Sequence, residues 1–209
     1  VLTSSTQEAR QLQDALAFYL ADRAIPVALF PDWETLPYDL FSPQQTIINE
    51  RIQVLHQLPT LQQGIVLVPV NTLLQRLPPQ SHVTASSFDL AVGDTFDLES
   101  TRQRLTESGY RNTNTVYESG EFAIRGAIMD VFPMGETQPF RVELFDDEIE
   151  SLRLFDAETQ RSIGTVERIT LLPAAEYPLS EAGIAQFRES FRNTFDVDHR
   201  HNQLYLDVT

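Results

Sequence analysis

The sequence predicts an α/β protein in two units: a parallel strand–helix unit over residues 1–85 and a compact β-rich α+β unit over 86–173. Residues 174–209 add a further helical segment. Three features carry this prediction. Strand and helix patterns alternate up to Pro79, as in a parallel sheet. From about Ser86 the apolar residues recur at every second position. Proline closes both stretches, at Pro78-Pro79 and at Pro173.

Val1 to Ser4 reads as the middle of a strand. Ser4-Ser5-Thr6 with Glu8 reads as a helix start, in which a hydroxyl and a carboxylate satisfy the first free N–H groups. Leu12, Leu16, Phe18 and Tyr19 continue that helix. Ile25–Phe30 is a short strand, and 31–38 a loop rich in turn formers. Ile47, Ile48, Ile52, Val54 and Leu55 place a helix between Ser42 and Leu58. Gly64–Val70 is a nearly continuous apolar strand, suited to a sheet covered on both faces. Asn71-Thr72 then caps a short helix through Leu77. In the second unit, Phe88, Leu90 and Val92 mark a strand, and Asp97 caps a helix to Ser108. Strands follow at Thr115–Tyr117, Glu121–Phe132, Pro139–Phe145, Glu148–Phe155 and Arg168–Leu172, with a tight hairpin turn at Asp146-Asp147. Leu179-Ser180 opens a last helix to about Phe191, and the tail to Thr209 is an interrupted element.

Composition bounds the chemistry. All 15 cations are Arg; there is no lysine. A phosphate-binding loop of the Walker type needs a Lys for the β/γ-phosphates, so no ordinary P-loop ATPase can operate here, and Schiff-base catalysis is excluded for the same reason. Cysteine is absent, which removes disulfides and thiolate metal sites and fits a cytoplasmic setting. The formal net charge of −15 repels nucleic acid on average, although a local basic patch stays possible. Apolar runs are far short of the roughly 20 residues of a membrane span, so no membrane partner is expected. A chain without an initiator Met that opens inside a strand reads as part of a longer protein.

The informative anomaly lies in Phe140–Phe145. Alternation places Phe140, Val142 and Leu144 on one face, suited to the core, and Arg141, Glu143 and Phe145 on the other. A Phe among charges on a polar face needs explaining, and aromatic plus Arg is the composition of binding hot spots. Arg125, on the preceding strand, is flanked by Ala123 and Ala127, which would leave its guanidinium projecting. The residues alone leave open whether these arginines pair with neighbours such as Glu121 or Glu143, and whether the Phe packs under a turn. Other constellations are weaker. Asp146-Asp147-Glu148 with Glu150 lacks the spacing of a Ca²⁺ loop and reads as a solvated turn. His56, His82, His199 and His201 are dispersed, so no metal ligand set is expected. Trp33 and Tyr38 could stack on a partner, or pack at the edge of the first unit.

Three stretches resemble one family. They are Asp32-Trp33-Glu34-Thr35-Leu36-Pro37-Tyr38-Asp39-Leu40-Phe41-Ser42-Pro43; Val68-Pro69-Val70-Asn71-Thr72-Leu73-Leu74-Gln75-Arg76; and Gly120–Pro133 running into Arg141–Ile149. Together they resemble the N-terminal, UvrB-like module of the bacterial transcription-repair coupling factor family, over nearly the whole chain. The third stretch is shared with the excision-repair protein UvrB; the first points to the coupling factor. The resemblance implies a degenerate helicase-like domain 1A, interrupted by a small domain 2 and resumed as 1B. It implies that domain 2 binds UvrA, with Arg125, Arg141 and Phe145 at the contact positions. The guanidinium groups would fork carboxylates of the partner, and Phe145 would be an apolar anchor.

The resemblance also implies that the complete protein is an ATP- and Mg-dependent DNA translocase. Its duplex DNA and RNA polymerase contacts would lie in other domains, and another of its domains would cover the UvrA surface at rest. Two features of UvrB have no counterpart among these residues: the phosphate loop, and the long aromatic hairpin for which there is no room between Pro43 and the following helix. This chain is therefore expected to be a docking module without catalytic residues or cofactor. The alternative is a fragment of a UvrB-like ATP-dependent helicase, which ATP turnover would reveal, and a third reading is a nucleic-acid-binding domain, which duplex binding at low salt would reveal.

Overall fold

The structure is a computed structural model that describes residues 1–35, 43–178 and 180–207. Leu36–Ser42, among them Tyr38, and Leu179 lie outside the described residues.

The first unit is built as its alternation requires. Strand β1 (Leu2–Thr3) leads into helix α1 (Thr6–Tyr19), then β2 (Val27–Leu29), α2 (Gln45–Gln57) and β3 (Ile65–Pro69). The three strands form a parallel sheet in the order β1-β3-β2. Ser5 caps α1 by accepting from the Glu8 amide at 3.2 Å, and Glu8 accepts in return from the Ser4 amide at 2.8 Å. These two bonds satisfy donors that a helix start leaves free. The bonds from Ser4 hold the Glu8 carboxyl below its ordinary pKa. Ala9, Leu29 and Leu67 form the small core between α1 and the sheet.

After β3 the expected helix is a single 3₁₀ stretch, Val70–Leu74, which stops short of Leu77 and has no side-chain cap. A short helix not anticipated from the pattern, α3 (Gln80–Ser86), follows Pro79, with Val83 as its buried residue. The second unit comprises β4 (Phe88–Ala91), α4 (Leu98–Glu107), β5 (Arg111–Asn112), β6 (Glu121–Arg125), β7 (Ile128–Val131), β8 (Phe140–Phe145), β9 (Glu148–Phe155), β10 (Ser162–Val166) and β11 (Arg168–Leu171). Strands β10 to β5 make a six-stranded sheet in the order β10-β9-β8-β7-β6-β5, antiparallel from β6 to β10 with β5 parallel at the edge. Strands β4 and β11 pair separately.

Two strand expectations are corrected here. Residues 121–132 are not one strand but the hairpin β6–β7, turning on Gly126-Ala127; Gly126 has φ +60°, a conformation open to a residue without a Cβ. Thr115–Tyr117 is a loop, held by the Glu121 carboxylate, which accepts from the Tyr117 and Glu118 amides at 2.9 and 3.0 Å. Strand β10 was not foreseen: most of its residues are exposed, so it carries no apolar alternation. The last helix, α5 (Glu181–Thr194), is capped by Ser180, and the tail forms a 3₁₀ turn and α6 (Gln203–Asp207).

The main core covers one face of the six-stranded sheet. Phe122, Met129, Val131, Phe140, Val142 and Leu152 meet Leu105 from α4, Leu90 and Leu171 from the β4–β11 ladder, and Ile52 from α2. Tyr110 crosses this core: its hydroxyl donates to the Leu172 carbonyl at 2.7 Å and accepts from the Met134 amide at 3.3 Å. Burial pushes its pKa above the ordinary tyrosine value, so the group stays neutral.

A buried ion pair ties the first unit to the segment that follows the second. Arg51 of α2 is wholly buried; its Nε and Nη2 donate to the Glu176 carboxylate at 2.5 and 3.2 Å. Its Nη1 donates to the Pro31 carbonyl at 2.6 Å and to Gln75 at 3.0 Å. The guanidinium carbon lies 4.4 Å from the Phe30 ring centroid and 4.7 Å from that of Trp33, whose Nε1 also donates to Glu176 at 3.0 Å. Trp33 is thus part of the packing between the first unit and the segment after β11.

Removing one member of such a pair strands a charge away from water. Glu176→Ala should lower unfolding stability by about 3–5 kcal/mol, read as a reduced midpoint in urea denaturation.

Candidate functional site

The second face of the six-stranded sheet is where the sequence anomaly falls. Because side chains alternate, the strands that send Phe122, Met129 and Val142 into the core send Ala123, Asp130 and Arg141 to the opposite side. Ladder register lines up Ala123, Asp130, Arg141 and Arg153 as successive partners across β6, β7, β8 and β9. The next row contains Arg125, Ile128, Glu143 and Ser151.

Asp130 is the centre of this face. It is wholly buried, and its Oδ1 accepts from Arg141 Nε at 2.7 Å. Its Oδ2 accepts from Arg141 Nη2 at 2.9 Å and also from Arg125 Nη2. The Arg141 side chain is 19% exposed and its guanidinium carbon lies 4.9 Å from the Phe155 ring centroid. The hydrogen bond to Asp130 raises the pKa of Arg141 further above its already high value. The Arg125 side chain is 50% exposed. Beside them, Arg153 pairs with Glu143 at 3.0 Å, and Ser151 donates to the same carboxylate at 2.6 Å.

Phe145 ends β8 and is 69% exposed. The register shifts between Glu143 and Leu144: Glu143 faces Ser151, whereas Leu144 faces Ile149. This places the extra residue on β9 and keeps β8 regular, so Leu144 stays in the core and Phe145 falls on the arginine face. The Leu144 amide donates to the Ala127 carbonyl at 2.9 Å, so the β6–β7 turn and the end of β8 lie at one end of the sheet. Arg125 shares a row with Glu143, and Arg141 and Phe145 lie two residues to either side of Glu143, so strand spacing puts each of their backbones about 12 Å from that of Arg125.

Of the three candidates, then, Arg125 and Phe145 are open to solvent and Arg141 is largely covered. Three details differ from the sequence reading. Strand β7 lies between Arg125 and Arg141; Ala127 belongs to the turn rather than flanking Arg125 along a strand; and both arginines share Asp130 rather than pairing with Glu121 or Glu143. Glu121 is engaged with its loop and with Arg111 at 3.2 Å. Sequence reasoning missed Asp130 and Arg153. The available signal for Asp130 was a carboxylate between apolar residues in Ile128-Met129-Asp130-Val131-Phe132, a place where burial demands a cationic partner.

The other constellations gather no site. Asp146 and Asp147 form an exposed turn, and among the described residues no group of three His, Asp or Glu could hold a metal ion. His201 pairs with Asp198 at 2.9 Å in the exposed tail. The groove beside β2, lined by Gln13, Leu29, Glu50, Gln53 and Gln57, carries a carboxylate where a phosphate would need a cation. No described helix is long and apolar enough to cross a membrane.

Residues 88–177, which contain the six-stranded sheet, match the family described as the UvrB interaction domain. The chain is 43% identical over 209 residues, its whole length, to the transcription-repair-coupling factor of Escherichia coli (strain K12). It is 43% identical over 209 residues, 98% of its length, to that of Haemophilus influenzae, and 32% identical over 197 residues, 94% of its length, to that of Staphylococcus aureus (strain USA300). It spans 18%, 18% and 16% of the length of these three relatives.

The burial pattern separates structural from exposed members of the face. Arg141→Ala, which leaves buried Asp130 with one cation, should cost about 3 kcal/mol of stability, whereas Phe145→Ala should stay within about 0.5 kcal/mol of the unmodified chain. Urea denaturation of the two variants checks both.

Proposed function

Because this chain is similar along its whole length to transcription-repair-coupling factors and matches the UvrB interaction domain over residues 88–177, we propose that it is the docking module through which such a factor recruits UvrA. The observation that carries the reading is Phe145: a large apolar ring, 69% exposed, on the face that also carries Arg125, Arg141, Glu143 and Arg153. An isolated exposed Phe is costly to hydrate, and beside fixed guanidinium groups it has the composition of a hot spot. Phe145 acts as the anchor. Arg125 offers donors not used by Asp130 to a carboxylate of the partner, and Arg141 adds its free edge at the rim of the same patch.

The chain itself works as a binding surface, without catalytic residues or a cofactor. In the longer protein, other domains supply RNA polymerase binding, duplex DNA binding and ATP- and Mg-dependent translocation. Recruitment of UvrA at a stalled polymerase then links transcription to excision repair. In the resting protein one of those domains covers the Phe145 face, so this chain alone binds UvrA more tightly than the resting full-length protein does.

Titration of the chain with purified UvrA is the test. Arg125→Ala and Phe145→Ala should each weaken binding by about 2 kcal/mol, roughly 30-fold, with melting behaviour unchanged for Phe145→Ala. Affinities equal to that of the unmodified chain would remove this face from the interface.

A further inference from the structure

Resting on the UvrA reading above, we infer that Asp130 is the positioning residue of the docking face: a buried carboxylate that never meets the partner but sets where both guanidinium groups stand. Asp130 has no exposed surface, so it cannot contact another protein directly. Yet it is the acceptor for both arginines assigned to the interface, each reaching it from a different strand.

The geometry follows from register. Asp130 stands directly opposite Arg141 on β8, close enough for the side-on, two-bond arrangement that fixes a guanidinium plane. On its other side it faces Ala123 of β6. That methyl group leaves the space through which Arg125, one row further along β6, folds back onto Oδ2. One anion cannot neutralise two cations, so the cluster keeps a net positive charge. Arg125 commits only Nη2 to Asp130, which leaves its Nε and Nη1 donors for a second acceptor; Arg141 commits Nε and Nη2 and leaves Nη1. A carboxylate entering from the partner finds donors already held in place, so less side-chain freedom is lost on binding.

This role differs from a merely structural one in what it couples to. A buried charge that served only the fold would weaken UvrA binding equally whether or not Arg125 is present. A positioning residue acts through Arg125, so its effect depends on that side chain.

The experiment is a double-mutant cycle on the whole chain, titrated with UvrA. Asp130→Asn keeps the shape but turns an amide toward the guanidinium donors. It should weaken binding roughly tenfold, and by threefold or less in the Arg125→Ala background. An affinity unchanged or raised by Asp130→Asn, or a loss of the same size in both backgrounds, would overturn the inference. If Asp130→Asn does not fold, the arginine side-chain NMR signals of the unmodified chain decide. Distinct, slowly rotating guanidinium signals for Arg125 and Arg141 in the free chain support the inference, and signals averaged as in free arginine refute it. If the unmodified chain itself fails to bind UvrA, the docking reading falls and this inference with it. If the unmodified chain binds, Arg125→Ala weakens it and Asp130→Asn does not, only the inference falls.

Discussion

The enclosed pair of Arg51 and Glu176 is the constraint on which the arrangement of the chain depends. A guanidinium withdrawn from water is tolerated only where its donors are met. Here they are met by the Pro31 carbonyl after β2, by Gln75 after the 3₁₀ stretch and by Glu176 beyond β11, with the guanidinium lying over the rings of Phe30 and Trp33. Three segments distant in sequence therefore have one way to meet α2. Ile52, next to Arg51 on α2, enters the main core of the second unit. The charge pair and the apolar contact together fix the six-stranded sheet relative to the parallel one. Their contribution is one of arrangement more than of stability, because desolvation offsets much of the attraction in such pairs.

The proposed docking face uses the same chemistry with a different balance. Around Arg51 every charge is enclosed and answered. Around Asp130 one enclosed carboxylate faces two guanidinium groups, one of them half open to solvent. The packed core on the other side of the sheet keeps β6, β7 and β8 in register, so the arginines stand on a stiff support. The register shift in β9 keeps Leu144 in the core and turns Phe145 outward at the end of the same face. An anchor and two cations on a rigid sheet form a surface that needs little rearrangement to bind.

Much of this was legible in the sequence. The caps of α1 and α4, the apolar β3 strand and the hairpin of β8 and β9 follow from residue type and period alone, and the parity of Phe145 with Arg141 and Glu143 was enough to place it among charges. The hairpin of β6 and β7 was harder, because alternation runs on through Gly126. The signal was a change of parity: buried Phe122 lies on an even position, whereas buried Met129 and Val131 lie on odd ones. Without that turn, β7 disappears from between β6 and β8, and with it the reason that both arginines meet at Asp130. Short α3 and exposed β10 bury too little for a pattern to show. The meeting of Arg51 with Glu176 is a tertiary event across 125 residues that no local pattern encodes.

The central claim is that the partner seats on the Phe145 face. A benzophenone cross-linker placed at position 145 and, in a separate chain, at position 18, on the exposed end of α1, measures this directly when each is irradiated with UvrA. The account predicts a cross-linked product from position 145 and none from position 18; cross-linking from position 18 alone would contradict it.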